Sequence, residues 1–214
     1  ISASLNESPL EMQMTIISYS LTVALFIPLT GWIADKYGTL NVFRAAVGIF
    51  VLGSVACAMA NSLNALIWSR ILQGMGGALM MPVARLTIIR NVPKTQLVAA
   101  WNAMAMAGLI GPVLGPIVGG WLVTHATWHW IFLINIPIGL LGIIASGQIM
   151  SNTKGKAIKL DWTGFLLFSL SLVGLTLGLD LLGESEHNKM LTYSTLAIGI
   201  ILLLGYGFYA NNNE

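Results

Sequence analysis

Long apolar stretches, each about the length needed to cross a bilayer, dominate this sequence of 214 residues. A membrane-spanning helix needs roughly 20 mostly apolar residues, because the hydrocarbon core is about 30 Å thick and a helix rises about 1.5 Å per residue. Seven stretches are long enough: Met12–Ile33, Val42–Ala60, Asn64–Ile89, Leu97–Val123, Trp130–Met150, Leu160–Leu182 and Met190–Ala210. None shows the polar–apolar alternation of a barrel strand. The sequence therefore predicts an all-α integral membrane protein with seven transmembrane helices.

The composition excludes several classes of function. Charged residues make up 8% of the chain and hydrophobic residues 56%, whereas a soluble domain carries about 25% charged residues. The net charge of +2 gives no reason to expect a nucleic-acid partner. We find no nucleophile–base pair, metal-ligand cluster or phosphate-binding loop, so we predict no enzyme, no cofactor and no metal site. The single cysteine, Cys57, lies in an apolar run and is interpreted as a helix-packing residue.

Basic residues alternate between the two sets of loops. One set carries Lys36, Arg44, Arg90, Lys94, Lys154, Lys156 and Lys159, and the other carries only Lys189. Because loops rich in lysine and arginine stay in the cytoplasm, the first set is predicted to be cytoplasmic. The first span then runs from outside to inside, and residues 1–11 are external. We accordingly expect one further helix before Ile1 in a longer parent protein.

Two spans carry unusual residues. Along Leu97–Val123, small residues recur every four positions and form one ridge about 30 Å long, at Ala99, Ala103, Ala107, Gly111, Gly115 and Gly119. Pro112 and Pro116 lie on the adjacent ridge, and each removes a backbone donor. Such a ridge favours close approach of another helix, although general tight packing is the simpler explanation.

Arg70 lies within the third span, where an ionisable group is costly and normally faces protein or a wet cavity. Gln73, Gly74 and Gly77 are predicted to share its helical face. Two interpretations remain open for Arg70: it modulates a proton relay or binds an anion, or it anchors the helix to neighbouring carbonyl groups. Asn135 likewise either lines a cavity or bonds across helices.

Four motifs, in order along the chain, resemble those of one family. They are the loop motif 31–38 (GWIADKYG), the fourth-helix motif 70–77 (RILQGMGG), the antiporter motif 111–120 (GPVLGPIVGG) and the sixth-helix entry 128–139 (WHWIFLINIPIG). Together they are similar to the major facilitator superfamily, in its fourteen-helix drug:proton antiporter branch of the EmrB/QacA type. The likeness covers nearly the whole chain, although each glycine motif alone is weak.

The resemblance implies helices two to eight of a fourteen-helix parent in the inner membrane of a bacterium. Residues 1–150 would form most of the N-terminal six-helix bundle, and residues 151–214 a cytoplasmic linker and two extra helices. The family exports amphiphilic compounds in exchange for protons by alternating access. The partners implied are a small-molecule substrate, protons, the lipid bilayer and the rest of the transporter. A metabolite exporter of the same superfamily and a non-transporting membrane fragment remain as alternatives.

The resemblance also assigns roles to residues. Gly31, Asp35, Lys36, Gly38 and Arg44 would form the cytoplasmic gate, with Asp35 paired to a basic residue or a helix N-terminus. Arg70, Gln73, Gly74 and Gly77 would form the proton and cavity motif. The antiporter motif would restrict leak across the membrane, and its marked residues are Gly111, Pro112, Gly115, Pro116, Gly119 and Gly120. One departure stands out: basic residues usually follow the position of Gly38, but Thr39 and Leu40 stand there.

Overall fold

The computed structural model describes residues 1–156, 159–182 and 189–213. Within these residues the chain is all-α, and seven helical segments are long and apolar enough to cross a membrane. The α-helices are α1 (Ser2–Leu5), α2 (Pro9–Phe26), α3 (Thr30–Tyr37), α4 (Thr39–Ala58), α5 (Leu63–Asn91), α6 (Leu97–His125), α7 (Trp130–Leu133), α8 (Asn135–Ile149), α9 (Trp162–Leu182) and α10 (Lys189–Asn213). The predicted all-α membrane fold is thereby confirmed.

The first span begins earlier and ends later than the predicted range Met12–Ile33. The Ser8 side chain accepts a hydrogen bond from the Glu11 amide, and the Glu11 carboxylate accepts one from the Ser8 amide. This capping box satisfies amides at the helix start, so α2 begins at Pro9 and Glu11 lies in its first turn. The expected external segment 1–11 is therefore partly helical. A short 3₁₀ turn, Ile27–Leu29, contains Pro28 and connects α2 to α3.

Glycines allow the central helices to pack closely. A side-chain Cβ on Gly53 of α4 would lie 2.5 Å from the Gln73 amide nitrogen of α5. One on Gly76 of α5 would lie 2.5 Å from the Ala46 carbonyl oxygen of α4. Without a side chain at these positions the two backbones come into direct contact, as in other membrane helix pairs with small residues at the interface.

The spans alternate in direction, so their ends gather in two groups. At one end, called the basic end here, the ends of α3 and α5 meet the segment 151–156 that follows α8. At the opposite end, a buried apolar cluster joins α4, α5 and α7 through Cys57, Ala60, Leu66, Trp128 and Phe132. Arg90 and the segment 151–156 therefore lie at one end of the bundle, and Trp128 lies at the other.

The last two spans form a pair of their own. Gly174 of α9 and Gly199 of α10 approach so closely that a Cβ on Gly174 would lie 3.1 Å from the Gly199 Cα. The side chain of Asp161, just before α9, accepts hydrogen bonds from the Gly164 amide and the Tyr209 hydroxyl of α10, at 3.0 and 2.9 Å. The pair packs against α2 through α9.

Candidate functional site

A buried polar network joins three helices in the middle of the bundle. At its centre is Gln73 of α5, whose side chain is 1% exposed. Its Oε1 accepts a hydrogen bond from Arg70 Nη1 at 2.5 Å, and its Nε2 donates to Ser54 Oγ of α4 at 2.7 Å. Asn135 Nδ2 of α8 also donates to Ser54 Oγ, at 3.3 Å. Asn135 thus bonds across helices, which was one of its two predicted roles.

Arg70 extends this network to a fourth helix. Its Nε donates to the Thr15 carbonyl oxygen of α2 at 3.2 Å, and its guanidinium lies 4.1 Å from the centre of the Tyr19 ring. The side chain is half-buried. Among the described residues no carboxylate lies within 4 Å of it. Arg70 is therefore both anchored to neighbouring helices and left with an unbalanced positive charge.

The glycines of the same motif keep α2 against α5. A Cβ on Gly74 would lie 2.9 Å from the Thr22 Cβ, and one on Gly77 would lie 2.7 Å from the Tyr19 hydroxyl. Tyr19 is the ring over which Arg70 lies. Gln73, by contrast, points towards α4, so the four motif residues contact two neighbouring helices rather than one.

An ion pair lies at the basic end. The Asp35 carboxylate at the end of α3 binds the Arg90 guanidinium at the end of α5. The Gly155 amide donates to the Asp35 carbonyl oxygen at 3.3 Å, and a side chain on Gly155 would collide with the Asp35 carboxylate. Asp35 therefore finds a basic partner within this chain, so its pairing does not require another part of the parent protein.

The turn between α3 and α4 is held by the segment after α8. Gly38 has φ of +92°, a conformation that favours glycine, and it ends α3. The fully buried Thr39 donates from its amide to the Thr153 carbonyl oxygen at 3.0 Å and from its hydroxyl to the Ser151 carbonyl oxygen at 3.0 Å. The unexpected threonine at this position thus docks the segment 151–156 instead of adding charge.

The other predicted gate residues make contacts of a different kind. Arg44 Nε of α4 donates to the Ile143 carbonyl oxygen and to Ser146 Oγ of α8, at 3.3 and 3.4 Å. Lys36 Nζ lies 4.8 Å from the centre of the Trp32 ring. Apart from the nearby backbone of its own helix, no described atom would come within 4 Å of a Cβ on Gly31. Arg44 therefore ties α4 to α8, and Asp35 is the one member of this group that forms an ion pair with another described residue.

The antiporter motif lies on a helix with little contact to the others. Helix α6 runs without interruption through Pro112 and Pro116. A Cβ added to Gly111, Gly115, Gly119 or Gly120 would have no described atom within 4 Å apart from the nearby backbone of α6 itself. The ridge predicted from the sequence is thus a continuous surface that the described part of this chain leaves uncovered.

Sequence reasoning misses Arg90, Thr39, Ser54 and Gly155 as members of these sites. In the sequence pattern Arg90 indicates only which loops share a side of the membrane, although it is a basic residue on the same side as Asp35. Ser54 is hidden in an apolar run, and no spacing rule links it to Gln73 of another helix. Their roles depend on tertiary contacts, which the linear pattern does not encode.

Comparison with known proteins identifies the family. The model of the Major Facilitator Superfamily matches residues 1–211. The chain belongs to the major facilitator superfamily. This is a family of transporters, not of enzymes.

Relatives in this superfamily match the whole chain. It is 70% identical over 214 residues to the probable transport protein HsrA of Haemophilus influenzae, covering 100% of this chain and 46% of that protein. It is 44% identical over 214 residues to the putative multidrug resistance protein MdtD of Pectobacterium carotovorum, again covering 100% of this chain and 46% of the relative. Against MdtD of Escherichia coli it is 46% identical over 211 residues, which are 99% of this chain and 45% of that protein. The chain spans about half the length of these relatives.

Proposed function

We propose that this superfamily member is part of a secondary active transporter that exports drugs or other amphiphilic compounds in exchange for protons, by alternating access. The observation that carries the proposal is the half-buried Arg70, which lacks a carboxylate partner among the described residues. The names of the relatives, a transport protein and multidrug resistance proteins, point to the same activity.

An unbalanced guanidinium within a span favours an anion beside it, because charge at membrane depth is costly unless it is paired. In the proposed mechanism a carboxylate from the rest of the transporter occupies this place. Protonation of that carboxylate removes its attraction to Arg70, and deprotonation restores it. Since Gln73, Ser54 and Asn135 connect Arg70 to α4 and α8, this change biases the packing of the bundle between two states.

The Asp35–Arg90 pair is proposed as an inner latch of the gate. It connects the ends of α3 and α5, and the segment 151–156 packs beside it through Gly155. Gly31, Lys36 and Gly38 would allow and orient the turn, while Arg44 would hold α4 against α8. Opening of the inner side would then require this connection to loosen.

The remaining assignments follow the same family plan. Residues 1–150 are proposed to form most of an N-terminal six-helix bundle, and residues 151–214 a linker with two extra helices. The uncovered ridge from Gly111 to Gly120 would pack against another helix of the whole transporter and restrict leak. The proposed partners are protons, an amphiphilic substrate, the bilayer and the remainder of the protein.

The proposed location is the bacterial inner membrane, with the basic end in the cytoplasm. Labelling of single cysteines by a membrane-impermeant maleimide tests this orientation in the full-length transporter with Cys57 replaced by alanine. We expect Thr127→Cys to react in intact cells and Lys156→Cys to react only after permeabilisation. The reverse pattern would overturn the orientation.

Substitution of Arg70 tests the mechanism in the full-length transporter. We expect Arg70→Gln and Arg70→Ala to abolish substrate efflux while membrane insertion is retained. The matched control is Arg85→Gln, which removes the same charge from an exposed position on the same helix; it should keep efflux near the parent level. Full efflux by the Arg70 variants would remove this residue from the mechanism.

A further inference from the structure

A second feature of the basic end is a groove between α3, α4, α5 and the end of α2. Its volume is about 590 Å³, within the range of roughly 300–1,000 Å³ typical of small-molecule sites. Most of the wall is apolar and comes from all sides of the groove: Phe26, Ile33, Ile49, Met75 and Leu79. None of these residues belongs to the polar network around Gln73. The groove is therefore a separate space that favours a hydrocarbon occupant.

The groove is polar at one end. Tyr37, Asn41 and Lys154 line it there, and all three are exposed. Lys154 belongs to the segment after α8, which Thr39 holds through hydrogen bonds to residues 151 and 153. The Asn41 amide also donates to Asn152 Oδ1 at 3.4 Å. These bonds keep Lys154 at the mouth of the groove, although the segment itself is not helical.

The charge at this mouth is positive and unbalanced. Within the described ranges no carboxylate lies within 4 Å of Lys154, and the nearby Asp35 is already paired with Arg90. Lys36 adds a second positive charge, since its Nζ lies 5.2 Å from the centre of the Tyr37 ring that lines the groove. An apolar groove with Lys154 at its mouth and Lys36 beside a lining residue is complementary to an amphiphile with an anionic head.

We propose that this groove binds an anionic phospholipid of the inner leaflet, with an acyl chain along the apolar wall and its phosphate beside Lys154. The membrane places such lipids at the cytoplasmic ends of spanning helices, and basic pockets between these helices bind their headgroups. The site rests on the proposed orientation, in which the basic end faces the cytoplasm. A bound lipid would bridge α3, α4 and the segment 151–156, next to the proposed inner latch.

Native mass spectrometry of the purified full-length transporter tests the proposal, with phosphatidylglycerol and phosphatidylethanolamine as the probes. We expect Lys154→Gln to weaken phosphatidylglycerol binding about fivefold, because one lysine near an anionic surface contributes about 1 kcal/mol and about 1.4 kcal/mol is tenfold in affinity. Lys156→Gln is the matched control, since Lys156 is an exposed lysine of the same segment that does not line the groove. It should bind as the parent does.

A second variant tests the groove itself. Ala45 lines it and is exposed, so Ala45→Trp should fill the space without disturbing the core. We expect it to reduce binding of both lipids. Equal binding of phosphatidylglycerol by the parent, Lys154→Gln and Ala45→Trp would overturn the proposal. Because binding is measured without transport, either this site or the transport mechanism can fail while the other stands.

Discussion

Replacing Gly53 by alanine should loosen the contact that supports the polar network. The added methyl would lie 2.5 Å from the Gln73 amide nitrogen and 2.6 Å from its Cα, so backbone rather than a flexible side chain must move. Gly48 is the matched control, because it lies on the same helix and its Cβ position has no described atom within 4 Å apart from the nearby backbone of α4 itself.

The expected size of the effect follows from this comparison. Alanine is favoured over glycine in a helix by about 1 kcal/mol at both positions. Overpacking adds a cost of typically about 1–3 kcal/mol, and it applies only to Gly53→Ala. The helix preference cancels between the two variants, so Gly53→Ala should be about 1–3 kcal/mol less stable than Gly48→Ala.

Unfolding of the full-length transporter by dodecyl sulfate in mixed micelles, followed by tryptophan fluorescence, measures this difference. Gly53→Ala should also lower substrate efflux, because it displaces Gln73 and with it Arg70. If Gly53→Ala were as stable as Gly48→Ala, the close packing of α4 on α5 would be wrong and the reasoning about the network would lose its basis.

Three further predictions concern the basic end and the α9–α10 pair. Asp35→Asn should abolish efflux by breaking the pair with Arg90, whereas the control Asp180→Asn, at an exposed position, should not. Restored efflux when Asp35→Arg is combined with Arg90→Asp would identify the pair as the cause. Unchanged efflux in Asp35→Asn would refute the role of the pair. Thr39→Val should speed hydrogen exchange in the segment 151–156, since the Thr153 amide loses the Thr39 hydroxyl as an acceptor. The control Thr87→Val should leave that exchange rate unchanged. Equal rates in the two variants would contradict the docking of the segment by Thr39. Hydrogen bonds from the Gly164 amide and the Tyr209 hydroxyl lower the pKa of Asp161. The ionised Asp161 therefore stabilises the fold above the pKa of about 3.9 that it has in the unfolded chain. This stabilisation is lost as the pH falls through the lowered pKa of the folded state. Tyr209→Phe should therefore destabilise the transporter at neutral pH and less so below about pH 4, in contrast to Tyr193→Phe; a difference independent of pH would exclude Asp161 as the cause.

The membrane fold could be predicted from the sequence because each span is specified locally. About 20 apolar residues suffice to define a spanning helix, whatever its neighbours are. The start of α2 at Pro9 is also available from local pattern, since Ser8 and Glu11 have the spacing of a capping box. The predicted range begins at Met12 because it follows hydropathy alone.

The contacts within the site are harder to predict from the sequence. The position of Arg70 in a span marks it as special, but its bonds to Thr15 and Gln73 depend on how α2 packs on α5. The resemblance groups Arg44 with Asp35, since both are charged residues near the turn between α3 and α4, whereas the structure binds Arg44 to α8. Sequence separation carries no information on such choices between helices.

The proposed coupling role of Arg70 can be measured directly as proton movement driven by substrate. Full-length transporter is reconstituted in proteoliposomes that contain a pH-sensitive dye, and a gradient of a substrate that the parent exports is imposed without a pH gradient. The account predicts a pH change with the parent and with Arg85→Gln, and none with Arg70→Gln. A pH change of the parent's size with Arg70→Gln would contradict it.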